Sequence, residues 1–484
     1  MKGLAVPVYI IAVLAMLSIT NITAAQAVIT APANILAGLP TVLTLTNVGV
    51  SGSNSLLPFA VIQWTITSNG VTSTESTFLS NGASSLPYIF QSPGSYTIEA
   101  NVLSYAITVN SPPVGIEMYA VFNGNTLGVG MVGPQYASPG ATNTVIVGPA
   151  ISSNPQIGST QFPINSGTSC LSGTLSIPSN IVAGQPTILS INGLSCSGTT
   201  FPFSILQWTI GSNTVSSFVS NGFSEVPYVF PTSGNYPISV SYLTPTIDIS
   251  NTVSSAAMSL TFNSLPYYLT MSPSGSQPIV SGYANVISSG ATYTTKVISL
   301  SGGGITGNLV MPEYIDAGTP VIFNISDLSY NGNVLPFTIL QWNIGGNLVN
   351  TYVSNGITSL MYVFPSAGNY EIAVNEINAE LDVSNTLSNP AAMWAYLDSN
   401  SISLLNGNSI MYATMSLGPS YEIGSGSLTV NPALEIPSIT SPAATNTLDE
   451  GQPITISASV SGGTAPYTYK FIVSNERDPS DIIA

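Results

Sequence analysis

A twelve-residue segment built around one tryptophan occurs three times, and this repetition constrains the fold more than any other feature. The copies read PFAVIQWTITSN at 58–69, PFSILQWTIGSN at 202–213 and PFTILQWNIGGN at 336–347. Side chains alternate across a strand, so Ile62, Trp64 and Ile66 share one face. An indole between aliphatic neighbours is typical of the core strand of a β-sandwich. We therefore predict that Trp64, Trp208 and Trp342 are equivalent core residues, and stacking on a ligand is the alternative interpretation.

Other short motifs recur in the same order around each tryptophan. They are the Gly-x-Pro turns AGLP, AGQP and AGTP at 37, 183 and 317, the SNG turns at 80, 220 and 354, the YIF or YVF strands at 88, 228 and 362, and the Gly-x-Tyr segments at 93, 233 and 367. The tryptophans are 144 and 134 residues apart. Each unit therefore has room for a sandwich of ~80 residues and ~60 residues of further strands.

Alternating runs support a second β segment in every unit. They begin at 116, 256 and 391, with later runs at 136, 283 and 412. The predicted fold class is all-β, with tandem immunoglobulin-like β-sandwich units, each followed by a second small β region. Whether that region is an independent domain or extends the sandwich stays open at this point.

The repeat predicts eight segments along the chain. They are a signal peptide (1–27), sandwich 1 (28–113), β region 1 (114–165), sandwich 2 (166–250), β region 2 (251–303), sandwich 3 (304–384), β region 3 (385–436) and an incomplete C-terminal module (437–484).

Two segments carry a resemblance to a known family. YVFPSAGNYEIAV at 362–374 resembles the end of a polycystic-kidney-disease-type (PKD) domain, and EGQPITISASVSGGTAPYTYKF at 450–471 resembles its first half. Tyr467, Tyr469 and Phe471 occupy the alternating aromatic positions, whereas the aspartate-bearing turn of the family is absent. The resemblance implies an extracellular β-sandwich of the kind repeated in archaeal or bacterial cell-surface proteins, used as a spacer, adhesive or recognition module.

The N-terminus has the pattern of an export signal. Lys2 precedes an uncharged apolar stretch, and Ala25-Gln26-Ala27 matches a signal peptidase site. Cleavage after Ala27 is the prediction. An uncleaved membrane anchor is the alternative, because the run approaches the ~18 residues that span a bilayer. Lys2-Gly3-Leu4-Ala5 also resembles the cleavage motif of archaeal pilin-type signals.

Composition disfavours several classes of function. The chain has no histidine and four basic against twenty acidic residues. Histidine-based triads and histidine-bearing zinc sites are therefore excluded, and nucleic-acid binding is disfavoured because phosphate contacts need many cations. The nearest acidic pairs, Glu376 with Glu380 and Asp449 with Glu450, show no repeated catalytic signature. We expect no catalysis, metal or cofactor; the expected partners are other surface proteins, cell-wall glycans or further copies of the chain.

The two cysteines flank the first two strands of the second unit. The midpoint between Cys170 and Cys196 is residue 183, the centre of the predicted hairpin turn. Folding there brings the thiols opposite each other, and an exported protein favours oxidation. A disulfide is predicted, with two reduced thiols as the alternative.

Scarcity of charge predicts an acidic environment. With almost no cations to pair with, the carboxyls have folded pKa values that are normal or raised, so protonation costs little stability. An acidophile's exterior fits this pattern, and a secreted coat protein rich in Ser, Thr and Asn is the alternative.

One sequon and the C-terminus add two further expectations. Asn324 is the candidate glycosylation site, because it alternates with Phe323 and Ile325 and should face outward. The incomplete last module is interpreted either as a truncation or as a half-domain completed by a neighbouring subunit.

The function predicted overall is a non-enzymatic structural or adhesive cell-surface protein. The alternatives are the binding part of a secreted acid hydrolase and a pilin-like filament subunit.

Overall fold

The computed structural model describes most of the three repeated units and short parts of the C-terminal segment. The described residues are 27–49, 56–57, 59–110, 118–122, 125–150, 155–165, 170–201, 203–250, 258–262, 265–289, 293–335, 337–384, 393–397, 409–434, 438–441, 455–463, 474–475 and 478–482. Their regular secondary structure is entirely β-strand, which confirms the predicted all-β class. No helix among these residues has the length and apolar character needed to cross a membrane.

The first unit is a sandwich of two sheets. Its strands are β1 (Val28–Thr30), β2 (Ile35–Leu36), β3 (Pro40–Thr46), β4 (Phe59–Ser68), β5 (Val71–Ser80), β6 (Ser84–Ile89), β7 (Gly94–Asn110), β8 (Met118–Phe122) and β9 (Asn125–Gly148). One sheet has the order β1-β3-β6. The facing sheet has the order β2-β9-β7-β4-β5. This is the strand arrangement of an immunoglobulin-like sandwich.

The second unit repeats the plan with two additional strands, an outer first strand and a short fifth strand that pairs with the fourth. Its strands are β10 (Ser159–Asn165), β11 (Leu171–Pro178), β12 (Ile181–Val182), β13 (Pro186–Cys196), β14 (Thr199–Thr200), β15 (Phe203–Ile210), β16 (Asn213–Ser220), β17 (Ser224–Val229), β18 (Gly234–Ser250), β19 (Met258–Phe262) and β20 (Leu265–Ile287). The first sheet runs β10-β11-β13-β17, and the facing sheet runs β12-β20-β18-β15-β16.

The third unit matches the second, and short strands follow it. Its strands are β21 (Thr295–Gly302), β22 (Ile305–Pro312), β23 (Ile315–Asp316), β24 (Pro320–Tyr330), β25 (Asn333–Val334), β26 (Phe337–Ile344), β27 (Asn347–Ser354), β28 (Thr358–Val363), β29 (Gly368–Ser384), β30 (Met393–Leu397) and β31 (Ser409–Asn431). Beyond it the described strands are β32 (Ser438–Ser441), β33 (Ser457–Ser459), β34 (Ser474–Asn475) and β35 (Asp478–Ile482).

Each tryptophan lies at the centre of its own core. All three indoles are fully buried, and each indole N–H donates to a hydroxyl on the adjacent strand. The acceptors are Thr77 Oγ1 for Trp64 (2.7 Å), Ser217 Oγ for Trp208 (2.7 Å) and Thr351 Oγ1 for Trp342 (2.8 Å). The buried polar atom of each ring is therefore satisfied, as a close-packed interior requires.

The repeated SNG segments form tight hairpin turns. Asn81 and Gly82 have φ values of 50° and 73°, and the same two positions in the other units are also positive. Two consecutive positive φ values define the type I′ turn that joins twisted antiparallel strands, and Asn-Gly is its preferred pair. This explains why the chain repeats these letters between β5 and β6 and at the equivalent places.

The Gly-x-Tyr segments form tyrosine corners. The hydroxyl of Tyr96 donates to the carbonyl of Ser92 at 2.8 Å, and Tyr236 and Tyr370 make the equivalent bonds to Thr232 and Ser366 at 2.9 Å. The phenylalanine of each YIF or YVF segment packs against this tyrosine at centroid distances of 4.8, 4.9 and 4.6 Å. Both motifs therefore close the sandwich at the same edge.

Strands of the predicted second regions are continuous with the sandwiches. β9 returns from its outer part to pair with β7, and its Val145 and Val147 belong to the core of sandwich 1. β18 with β20 and β29 with β31 do the same in the other units. In the described residues, the long strands of each second region therefore pair directly with strands of its sandwich. The outer strands β10 and β21 likewise begin before residues 166 and 304, the predicted starts of sandwiches 2 and 3.

The outer parts of these long strand pairs join into a closed ring. β8 pairs in parallel with β18, β19 with β29 and β30 with β7. Together with the pairings inside each unit, these contacts connect nine strands side by side around a circle. The facing sheets of all three sandwiches and this ring are therefore one hydrogen-bonded sheet of 18 strands.

The predicted disulfide is present in the second unit. Cys170 and Cys196 are bonded with a Cα–Cα distance of 4.7 Å, next to the pairing of Leu171 with Cys196 in the β11–β13 hairpin. The bond closes a loop with a sequence separation of 26.

The predicted signal peptide lies outside the described residues except for Ala27, and so do Tyr467, Tyr469 and Phe471.

Replacing both cysteines with serine should lower the free energy of unfolding by about 3.5 kcal/mol, because an unbridged loop of this length gains entropy in the unfolded chain. Denaturant unfolding of oxidised wild type, reduced wild type and the C170S/C196S variant measures the effect. The reduced wild type should match the double variant. Equal stability of the oxidised and reduced wild type would contradict a stabilising role for the bond.

Candidate functional site: the axis between the sandwiches

The three sandwiches meet through equivalent apolar positions on the outer faces of their first sheets. Val42, Ile188 and Ile322 occupy one set of equivalent positions on β3, β13 and β24, and Ile89 of β6 and Met361 of β28 join them in one buried cluster. Because the same strands contribute from each unit, the cluster marks a pseudo-threefold axis. We call these five residues the axial cluster.

Three aromatic rings surround the same axis. Phe78, Phe218 and Tyr352 stand two residues before the SNG turn in each unit. Their centroids are 6.3 Å apart for Phe78–Phe218, 6.0 Å for Phe78–Tyr352 and 6.2 Å for Phe218–Tyr352, all edge to face. Phe203 stacks on Phe218 at 5.5 Å. Rings in this geometry attract each other beyond their burial, so this aromatic triad holds one strand of every unit at the axis.

The junction between units 3 and 1 also has polar contacts. The Tyr352 hydroxyl donates to the carbonyl of Leu79 at 3.1 Å, and Asn350 Nδ2 donates to Ser80 Oγ at 3.2 Å. The residues equivalent to Asn350 are Ser76 and Ser216, whose side chains are shorter. The pseudosymmetry is therefore broken in its polar contacts.

A cavity of about 220 Å³ lies among the three units at this junction. Strands β3, β5 and β6 of unit 1, β16 and β17 of unit 2, and β27 and β28 of unit 3 form its wall. Hydroxyl groups, the aromatic triad and one carboxyl, that of Glu225, line it. We call it the axial cavity. A mixed lining of this kind can hold polar or charged groups as well as apolar ones.

Two carboxyls at the junction of units 1 and 2 are strongly perturbed. Burial raises the pKa of Glu75 to about 8. Burial, and then the neighbouring charge of Glu75, raises the pKa of Glu225 well above its usual range. Glu225 keeps some accessible surface although protein atoms surround it, because part of its side chain lines the axial cavity. Both carboxyls are therefore neutral in acid and must be charged in alkali.

Other predicted site residues lie elsewhere in the sandwiches. Asn324 points away from its own core, but it is half-buried, and its Oδ1 accepts a hydrogen bond from Ser359 Oγ at 2.8 Å. Burial also raises the pKa of Glu376, which accepts a hydrogen bond from Thr338. Asp449 and Glu450 lie outside the described residues. Within the described ranges no three His, Cys, Asp or Glu side chains form a group that could hold a metal.

Sequence reasoning did not find the axis, although one signal for it was present. The predicted core face of β4 carries Ile62 and Trp64, but its other face carries Val61, which is also buried and packs with Leu103 and Phe78. An apolar second face indicates a covering element. Part of that cover is the aromatic triad, to which the other two sandwiches contribute.

Comparison with known proteins gives similarity to tandem β-sandwich structures. The FN1–FN3 domains of chicken CNTN1 share 10% identity over 72% of this chain and 91% of theirs, with a TM-score of 0.13. A Bacteroides ovatus mixed-linkage glucan utilization protein, SGBP-B, in complex with a heptasaccharide shares 12% identity over 89% of this chain and 76% of its own, also at 0.13. These TM-scores are too low to support a fold assignment. The assignment of β-sandwiches therefore rests on the strand order. No protein-family model and no curated protein matches the sequence.

The buried carboxyls predict that the protein is more stable in acid than in mild alkali. The unfolded glutamate titrates near 4.5 and folded Glu75 near 8. The folded state therefore binds more protons between these values, and stability falls as the pH rises through this range. Thermal melts should give a higher Tm at pH 4 than at pH 8. In Glu75→Gln the difference should shrink, because the amide cannot ionise.

Exposed Glu99 provides the matched control. Glu99→Gln removes the same formal charge and should keep the wild-type difference in Tm between the two pH values. A wild-type Tm that is higher at pH 8, or an equal response of the two variants, would contradict the assignment to Glu75.

Proposed function

We propose that the chain is an exported cell-surface protein with a structural or adhesive role, in which three sandwiches act as one rigid body and perform no catalysis. The single observation that carries this proposal is the fusion of the sandwiches. Their facing sheets and the ring form one sheet of 18 strands, and their first sheets share the axial cluster. A chain of flexible spacers needs neither feature.

Export is supported by two independent features. The N-terminal sequence has the pattern of a signal peptide, and the second unit contains a disulfide, which persists in oxidising compartments. The raised pKa values of the buried carboxyls, which burial causes, fit a surface exposed to acid. The expected partners are other surface proteins, cell-wall glycans or further copies of this chain.

Fractionation of native cells tests the location. The protein should be recovered in the isolated envelope fraction, with a mature N-terminus at Val28. Recovery mainly in the cytosol with an intact N-terminus would contradict export. Recovery mainly in the culture supernatant would contradict a role at the cell surface. A cytosolic and a secreted marker protein, followed in the same fractions, calibrate the separation.

The rigid-body proposal has its own test in the purified protein. A protease site inserted between Ala150 and Pro155 allows unit 1 to be cut from units 2 and 3. The fragments should elute together in gel filtration, because the ring and the axial cluster connect them without this linker. Separation of the two fragments under native conditions would show that the sandwiches are independent.

Ile188→Asp is the matched variant for this experiment. It places a charge in the axial cluster, where Ile188 is buried, and should make the nicked fragments separate more readily. Val71→Asp changes a valine that is 75% exposed and should have no effect on co-elution.

A further inference from the structure

The outer face of β18 and β20 in unit 2 carries an exposed tyrosine that the equivalent faces lack. Tyr283 is 56% exposed, and Pro237, its direct partner across the strand pair, is exposed as well. The rings of Tyr283 and Phe162 pack edge to face with their centroids 5.7 Å apart. This contact supports the exposed ring on one side, so the ring loses little conformational entropy when a ligand stacks on it.

A glycine gives Phe162 the room to reach this tyrosine. A Cβ atom at Gly282 would lie 2.9 Å from the Phe162 ring, which is closer than two carbon atoms approach without a clash. In unit 3, Gly426 accommodates Ile298 in the same way, but a serine follows it where unit 2 has Tyr283. The supported, exposed ring is therefore a feature of unit 2 and not of the shared fold.

Hydrogen-bonding side chains flank the tyrosine and its proline partner along both strands. Alternate residues of a strand share a face, so Ser281 and Asn285 lie on either side of Tyr283. The register places a serine and an asparagine of β18 opposite them. Four steps of ~3.4 Å give this face a length of ~14 Å. We call it the tyrosine surface, and it consists of Asn235, Pro237, Ser239, Ser281, Tyr283 and Asn285.

The tyrosine surface has no carboxyl, amino or guanidinium group, whereas the equivalent faces of the other units are charged. Unit 1 has Glu99 there and unit 3 has Glu371, and both carboxylates are exposed. The whole chain carries a formal net charge of −16, which repels acidic polymers. A polycation would be attracted to the carboxylates and not to this face. The charge distribution therefore favours an uncharged ligand.

We propose that the tyrosine surface binds a neutral glycan of β-linked pyranose rings, with one sugar ring stacked on Tyr283 and the neighbouring rings bonded by the side chains at either end. A glucose-type ring presents C–H groups on its faces and hydroxyls around its rim. The negative face of an aromatic ring attracts those C–H groups, and asparagine and serine side chains both donate to and accept from hydroxyls. The linear arrangement along two strands matches an extended oligosaccharide.

The dimensions of the tyrosine surface disfavour a second copy of the chain as the ligand. A stable protein interface buries about 800 Å² on each partner and has an apolar centre. Here the apolar centre is one tyrosine and one proline, on a face ~14 Å long and two strands wide. Polar side chains bound it at both ends. A narrow, hydroxyl-rich polymer satisfies these side chains, and an apolar protein surface does not.

This inference rests on the proposed function, because it specifies the class of glycan among the expected partners. The two fail separately. Recovery of the protein in the cytosol would contradict export without affecting binding by the purified protein. Absence of glycan binding would overturn this inference and leave the envelope location intact.

Calorimetric titration of the full-length protein tests the proposal. Cellopentaose and penta-N-acetylchitopentaose are the probes, and at least one should bind saturably at one site per chain with a Kd of about 1 mM or lower. The α-linked maltopentaose should bind at least about tenfold more weakly, because its chain is curved. No saturable binding of either β-linked probe, or equal binding of maltopentaose, would overturn the proposal.

Substitutions taken from the other units locate the binding. Tyr283→Thr and Tyr283→Ser copy Thr144 of unit 1 and Ser427 of unit 3, so the fold tolerates both residues at this position. Each should weaken binding at least about tenfold, and Tyr283→Phe should retain it because the ring remains. Unchanged affinity in the first two variants, or equal loss in Tyr283→Phe, would contradict stacking on this ring.

Tyr421 of unit 3 provides the matched control. It is 53% exposed, but its partner across the strand pair is Glu376. Tyr421→Thr should leave the affinity for the β-linked probe unchanged, and an equal loss in this variant would overturn the assignment to the tyrosine surface. Sedimentation velocity of the ligand-free protein tests the other occupant. Self-association that disappears in Tyr283→Thr would show that this face binds a second copy of the chain and would overturn the proposal.

Discussion

The packing of three first sheets around one axis is the constraint on which the rest of the structure depends. Each sandwich fills a core around its tryptophan and still has apolar side chains on the outer face of its first sheet. Val42, Ile188 and Ile322 are all buried by the other units, although none lies in its own sandwich core. Burying such a side chain stabilises by about 1.5–3 kcal/mol, so an isolated sandwich would lose this term. The units therefore have a physical reason to remain together.

Packing and hydroxyl networks connect neighbouring strands in the described cores. The indole of Trp208 donates to Ser217, and the Ser217 hydroxyl is 2.7 Å from that of Ser224 on the next strand. Trp64, Thr77 and Ser84 form the same chain in the first unit. These contacts do not change with protonation. Among the described carboxyls, burial raises the pKa of Glu75, Glu225 and Glu376, so protonating these three groups in acid favours the folded state.

The sequence predicted local structure well because local structure depends on neighbouring residues. Alternation placed Trp64 in a core, spacing paired Cys170 with Cys196, and the aromatic and turn motifs were identified as repeats in the same order. It did not predict that β7 and β9 run from the sandwich into the ring, because alternation has the same period in both parts. It also left the axis unidentified. Alternation shows that Val61 opposes Ile62 across a strand, but not which distant segment covers it, since that depends on contacts far apart in the sequence.

Three unequal copies in one chain permit an arrangement that a symmetric trimer cannot have. The positions equivalent to Glu225 are Ser85 and Ser359, so one carboxyl and two hydroxyls face the axis. In a trimer of identical subunits, three carboxyls would converge there, and their mutual repulsion would oppose ionisation or separate the subunits. Asn350 also differs from its counterparts in the other units. Its amide donates a hydrogen bond to Ser80 of another unit, whereas the counterparts are the smaller Ser76 and Ser216. Divergence of the copies therefore leaves a single carboxyl in the wall of the axial cavity, and burial there keeps this carboxyl protonated in acid.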